Sequence, residues 1–256
     1  MRNRIKWILV FILSILLLSY GYSRFRSALS VEKVDKRNKT AEVDSNLIYL
    51  YGDSWIGNKS LDKYFKNALT EQGLNYQVKS FGYPGANSKE LYETLLGKGF
   101  LTSAISILES PPKYCVVIAG VNDAASQMGP KFYSHHTTMI VNTLLHEGIT
   151  PVLLELPEFG IDKIMNDCGV FIKSKNTLMA FYNNKGETDN ILTYRVALKK
   201  RLMQEGVYDK IVFVKYNNIS SDYDMNVYLY RDAAHLNEKG KIVLCKEIVK
   251  QLVRNE

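Results

Sequence analysis

The sequence of 256 residues is long enough for one sizeable domain with a full core once a short leader is set aside. Its net charge of +7 is not a nucleic-acid signature, because residues 1–40 hold nine Lys/Arg and two Asp/Glu while the rest of the chain holds 24 of each. Three cysteines, Cys115, Cys168 and Cys245, make no disulfide framework, and none has a metal-ligand spacing to a histidine, so no metal is expected.

The leader reads first. Arg2, Arg4 and Lys6 precede an apolar run over 7–22, broken only by Ser14, Ser19 and Gly21. Basic residues followed by such a run mean export or anchoring, since a buried helical backbone satisfies its own polar groups. No small-x-small cleavage site follows, and Tyr20 and Tyr22 suit a membrane interface. The expectation is therefore a cytoplasmic basic segment (1–6), one transmembrane anchor (7–22), a polar flexible stalk (23–45) and an extracytoplasmic domain (46–256), with secretion after signal cleavage as the alternative.

From residue 46 short apolar runs alternate with longer amphipathic ones. Strands are predicted over 47–51, 76–81, 114–119, 151–156 and 210–215, and helices over 61–71, 89–96, 135–146, 190–204 and 238–252. The third strand is the most continuously apolar and is expected at the centre of the sheet. Between 157 and 185 the pattern blurs, and a stretch of that length suggests a lid or insertion. This alternation predicts an α/β fold, three-layer α/β/α with a mostly parallel central sheet, in one domain.

Four short motifs fall at predicted strand ends. Gly52-Asp53-Ser54 follows the first strand, and Gly85-Ala86-Asn87-Ser88 the second. Gly120-Val121-Asn122-Asp123 follows the third, and Asp232-Ala233-Ala234-His235 precedes the last helix, which Asn237 is placed to cap. A hydroxyl at the carboxyl edge of a parallel sheet sits where ligands bind in open α/β folds. Taken alone, Asp53-Ser54 reads better as a helix cap, and Asn122-Asp123 suits an Asx turn. The spacing of Asp232 and His235 on one loop lets the carboxylate reach one imidazole nitrogen and frees the other to take a proton from Ser54. His135, His136 and His146 lack such a context; the adjacent pair at a predicted helix start reads as solvated or capping groups.

In this order the blocks resemble the GDSL/SGNH hydrolase superfamily over essentially all of 46–254, with Trp55 in place of the Leu of the family name. The resemblance implies the SGNH (flavodoxin-like) fold, with Ser54 as nucleophile and Asp232 and His235 as its acid–base pair. It further implies an oxyanion hole from the N–H of Ser54, the N–H of Gly85 (Gly82 being the competing choice) and the side chain of Asn122. No cofactor is implied. The function expected is an exported, membrane-anchored serine esterase that removes O-acetyl groups from a cell-surface or extracellular carbohydrate through a Ser54 acyl-enzyme. Alternatives are a polysaccharide O-acetyltransferase using the same residues, a lysophospholipase or thioesterase, and a non-catalytic polysaccharide-binding protein. Expected partners are an acylated carbohydrate and the membrane, and no nucleic acid. Tyrosines between 216 and 230 are expected mainly to pack, with one or two able to stack on a sugar ring.

Overall fold

The computed structural model describes residues 42–97 and 107–255, with 14, 15 and 18 of the leader. Most of the expected anchor and of the stalk therefore lies outside the described residues, and among the described residues no helix is long and apolar enough to cross a membrane.

Among the described residues five strands, β1 (Asp44–Gly52), β2 (Gln77–Gly82), β3 (Pro112–Ile118), β4 (Thr150–Leu154) and β5 (Val212–Val214), form one parallel sheet in the order β2-β1-β3-β4-β5. β3 is central, as its unbroken apolar run predicts: Cys115, Val116, Val117 and Ile118 are all buried. β1 starts at Asp44, inside the segment read as stalk. Its first three residues are exposed, so the apolar run marks only the strand's buried half.

Among the described residues from 42 on, the helices are α1 (Asp62–Glu71), α2 (Ser88–Leu95), α3 (Val121–Ala125), α4 (Pro130–His146), α5 (Ile161–Asp167), α6 (Val170–Asn183) and α7 (Ile191–Gln204) between strands, and α8 (Glu238–Arg254) after β5. α1 packs on α8, whereas α2 packs on α4 and α4 on α7. Right-handed crossovers explain the two sets. The β1-to-β2 connection runs one way along the sheet and the later connections run the other, so their helices land on opposite faces. The strand order reverses between β1 and β3, and the crevice beyond their carboxyl ends is where such a sheet places a ligand.

Two expectations change. The blurred stretch after Pro157 is largely helical, as α5 and α6. Its pattern hid because α6 buries only Asn176, Met179 and Ala180, while Val170, Phe171 and Ile172 face outward. The segment is fastened by buried amides: Asn184 and Asn190 donate to Gln127 Oε1 at 2.6 and 2.5 Å, and Gln127 Nε2 donates to the Thr188 carbonyl at 2.8 Å. The second change concerns His135 and His136, which are buried rather than solvated. Pro130 starts α4 five residues earlier than predicted, which carries both rings into the packed middle of the helix.

Candidate active site

β1 ends at Gly52, and the chain turns at once: the Ile56 and Gly57 N–H groups both donate to the Asp53 carbonyl at 3.1 Å. The Asp53 side chain points down and accepts from the Trp55 N–H at 3.0 Å, which leaves Ser54 at the surface of the crevice. Ser54 thus sits on a turn held from below.

The last block reaches Ser54 from the other end of the chain. His235 Nε2 lies 3.0 Å from Ser54 Oγ, across 181 positions of sequence. On its other side His235 Nδ1 donates to Asp232, 2.9 Å from Oδ1 and 3.1 Å from Oδ2. That bond assigns the ring proton to Nδ1 and leaves Nε2 free to accept from the serine hydroxyl. Asp232 also accepts from the Ala234 and His235 N–H groups, at 2.9 and 2.8 Å, and from Arg231 at 3.1 and 3.2 Å. Partial burial opposes its charge, but the Ala234 N–H, the His235 ring and Arg231 outweigh it and hold the carboxyl down at about 2. Asp232 is thus ionised at neutral pH.

Trp55 carries this loop. Its ring is buried, its Nε1–H donates to the Ala234 carbonyl at 2.9 Å, and its face meets Tyr216 edge-on at 6.1 Å. Tyr216 and Tyr230 share a hydroxyl–hydroxyl bond of 3.0 Å, and Tyr230 donates to the Glu158 carbonyl at 2.7 Å. These two tyrosines support the loop from inside and are not surfaces for a sugar. Tyr228 is exposed, with Lys239 4.5 Å from its ring centre.

The second and third blocks are tied to each other. Asn87 caps α2 in a reciprocal pair with Glu90, and Ser88 donates from N–H and Oγ to the buried Asp123 at 2.9 and 2.5 Å. Asn122 Nδ2 donates to the Ala86 carbonyl at 3.0 Å, a bond across the crevice rather than an Asx turn. One of its two amide hydrogens is thereby used, and the other stays available to a ligand. Gly85 has φ +83° with open space where a Cβ would point, so its left-handed turn exposes backbone. Gly82 differs: a Cβ there would lie 2.3 Å from the Gly57 nitrogen, so it is needed for strand-to-turn packing.

Beneath Ser54 sit two fully buried carboxyls. Burial raises Asp53 to about 7 and Asp123 to about 6, and the charge of Asp123 adds to the rise at Asp53. One Asp53 oxygen is buried with no partner, which fits a protonated, neutral acid.

A cavity of about 260 Å³ opens beside Ser54 and His235, walled by Trp55, Asn58, Leu61, Pro84, Leu236 and two cations, Arg231 and Lys241. The basic residues were not singled out from sequence, because only the fold carries them to the serine. Among the described residues no group of three or more His, Cys, Asp or Glu is placed to hold a metal.

No protein-family model matches the chain, and no curated protein matches it in sequence. Solved structures do match in shape. A family 3 carbohydrate esterase from Clostridium thermocellum is 14% identical with a TM-score of 0.57, over 83% of this chain and 97% of its own. A GDSL-like lipase from Bacteroides thetaiotaomicron is 13% identical with a TM-score of 0.55, over 92% and 97%. The psychrotrophic esterase EstA from Pseudoalteromonas sp., in a form inhibited by monoethylphosphonate, is 12% identical with a TM-score of 0.53, over 82% and 98%. At such identities the likeness speaks for architecture: this chain has the α/β fold of GDSL-like esterases and lipases.

Proposed function

We propose that the chain is a serine ester hydrolase, exported and tethered through residues 7–22, that removes short acyl groups such as acetyl from a carbohydrate outside the cytoplasm. The observation that carries this reading is the continuous hydrogen-bonded chain from Ser54 through His235 to Asp232. A hydroxyl, an imidazole of fixed tautomer and an ionised carboxylate in that order make up the apparatus of acyl transfer.

The steps follow from the geometry. His235 Nε2 takes the Ser54 proton as Oγ attacks the ester carbonyl. The Asp232 carboxylate stabilises the imidazolium that forms. The oxyanion is met by the N–H groups of Ser54 and Gly85 and by the second amide hydrogen of Asn122. His235 returns its proton to the departing alcohol, and water, activated by the same imidazole, releases the acid. Every group is supplied by the chain, so the reading requires no cofactor.

The size of the cavity, about 260 Å³ and below the usual range for a drug-sized ligand, favours a small ester of one sugar and a short acyl group over a lysophospholipid or fatty thioester. The shared fold of the Clostridium thermocellum carbohydrate esterase supports a sugar ester as the starting point.

The test uses the full chain in detergent beside its Ser54→Ala variant, with acetate release followed from a chromogenic acetyl ester, with and without an oligosaccharide. Release that needs Ser54 and ignores the oligosaccharide supports the hydrolase. Release that accelerates with oligosaccharide and leaves it one acetyl heavier replaces water by a sugar hydroxyl and makes the protein a transferase. Failure of Ser54 to react with a fluorophosphonate would sink both and favour a binding protein that keeps the fold.

A further inference from the structure

The wall of the reactive cavity is charged in one sense only. Arg231 and Lys241 line it, and no Asp or Glu does. Outside residues 1–40 the chain holds equal numbers of basic and acidic residues, so the positive sign belongs to this wall and not to the domain as a whole. A second cavity, of about 300 Å³, shows the opposite bias, with Glu158, Asp162, Asp189, Asp222 and Asp224 in its wall against Lys163.

The two cations differ in what they already hold. Arg231 is spent in part on Asp232, to which it gives two hydrogen bonds. Lys241, on the first turns of α8, has no ion pair among the described residues, although other lysines of α8 do: Lys246 pairs with Glu71 and Lys250 with Glu247. A half-buried lysine that lines the same cavity as Ser54, with no ion pair among the described residues, is a ready partner for a negative group brought by a ligand.

Position says which part of the ester carries that group. The departing oxygen must lie next to His235 Nε2, from which it takes its proton. Arg231, Leu236 and Lys241 come from the same loop and helix start as His235 and line the same cavity. The alcohol portion of the ester, not the acyl portion, is therefore the one that meets them.

We propose that the sugar seated in this cavity is anionic, a uronic acid or phosphosugar whose charge is met by Lys241 with help from Arg231. This rests on the hydrolase reading and narrows its substrate class. A neutral sugar would leave the ammonium with water alone, whereas an anionic one forms a charge-assisted hydrogen bond in a partly enclosed site. Partial exposure limits the gain to about three- to tenfold in preference.

Two measurements on the full chain decide it. In the first, kcat/KM is compared for acetylated methyl glucuronide and acetylated methyl glucoside, which differ only in the carboxylate. The anionic ester is expected to be preferred about three- to tenfold, and Lys241→Gln to bring the ratio close to one. Lys239→Gln, which changes a lysine outside the cavity, should leave the ratio as it was. An equal or inverted ratio in the native protein, or a preference that survives Lys241→Gln, overturns the proposal.

In the second, glucose, glucuronate and glucose 6-phosphate are titrated against the fluorescence of Trp55, which lines the cavity and is one of two tryptophans in the chain. Tighter binding of either anion than of glucose, lost at high salt and in Lys241→Gln, supports the proposal, and the tighter of the two assigns carboxylate or phosphate. Binding that ignores charge overturns it. Because this titration needs no turnover, an inert Ser54 would defeat the hydrolase reading while the charge preference of the cavity is still read.

Discussion

Trp55 Nε1 donates to the carbonyl of Ala234 at 2.9 Å, so the residue after Ser54 holds the residue before His235. This bond joins the first and last motifs of the chain directly, independently of the contact between Ser54 and His235. Trp55→Phe keeps an aromatic ring against Tyr216 but removes the N–H and leaves the Ala234 carbonyl unmet. The net value of such a bond is about 0.5–1.5 kcal/mol, and the smaller ring adds a packing loss. Thermal unfolding should drop by a few degrees, and kcat should fall about tenfold with KM nearly constant as His235 loses its alignment. A variant with native kcat would show that the loop positions His235 unaided.

The carboxylate of Asp232 orients the ring and stabilises its charged form, two roles that Asn cannot fill together. Asp232→Asn should lower kcat by about 10³–10⁴ while unfolding changes little, because the group lies on an exposed loop. Activity within tenfold of native would mean that another acceptor holds Nδ1. Ser54→Ala should abolish the acyl-enzyme seen by mass spectrometry.

Asn122 has two bonds to give, and the Ala86 carbonyl takes one. Asn122→Ala should therefore reduce kcat by about 10²–10³ with KM almost unchanged, the mark of a donor used mainly in the transition state. Asn122→Asp separates geometry from charge, since it keeps the size of the side chain but turns the donor into an anion. It should be at least as damaging as Ala. If both variants lose only stability, Asn122 serves the fold alone.

Two buried groups make stability depend on pH in opposite directions. Burial lowers His136 to about 3 against an ordinary 6.5, with its Nδ1 bonded to the Phe132 carbonyl at 2.9 Å. The unfolded chain therefore takes up a proton first as pH falls below 6.5, and the stability linked to His136 is lost from there down to about 3. Between pH 6.5 and 5 the loss is about 2 kcal/mol, from 1.36 kcal/mol per pH unit. Asp53 is raised, so its contribution is fully present below about 3.8 and is lost as pH rises toward 7. Urea unfolding at several pH values, on the native chain and on His136→Gln and Asp53→Asn, should resolve the two slopes. The histidine variant should lose less stability on acidification than the native chain, and the aspartate variant less on alkalinisation. Parallel curves in all three proteins would show that neither group changes protonation on folding in the stated way.

Much of this protein is legible along its sequence, because its causes are local. β3 announces itself by an unbroken apolar run, since a central parallel strand is covered on both faces. Helix α8 starts where Asn237 caps it, its side chain accepting from the Gly240 N–H at 3.0 Å. Ser54, Gly85, Asn122, Asp232 and His235 stand out because four blocks in this order, at predicted strand ends and before the last helix, together resemble the GDSL/SGNH pattern; any one block alone is weak. The sequence by itself therefore determined the alternation of strands and helices and the candidate residues that sit at the sheet's edge. What tertiary structure alone decided is everything that depends on distance across the fold. The contact of His235 with Ser54, the raised pKa of the buried Asp53, the burial of His136 and the arrival of Lys241 at the cavity are all of this kind. None leaves a periodic trace, because electrostatics and burial act through space, and the strand order β2-β1-β3-β4-β5 is what brings these distant residues within range.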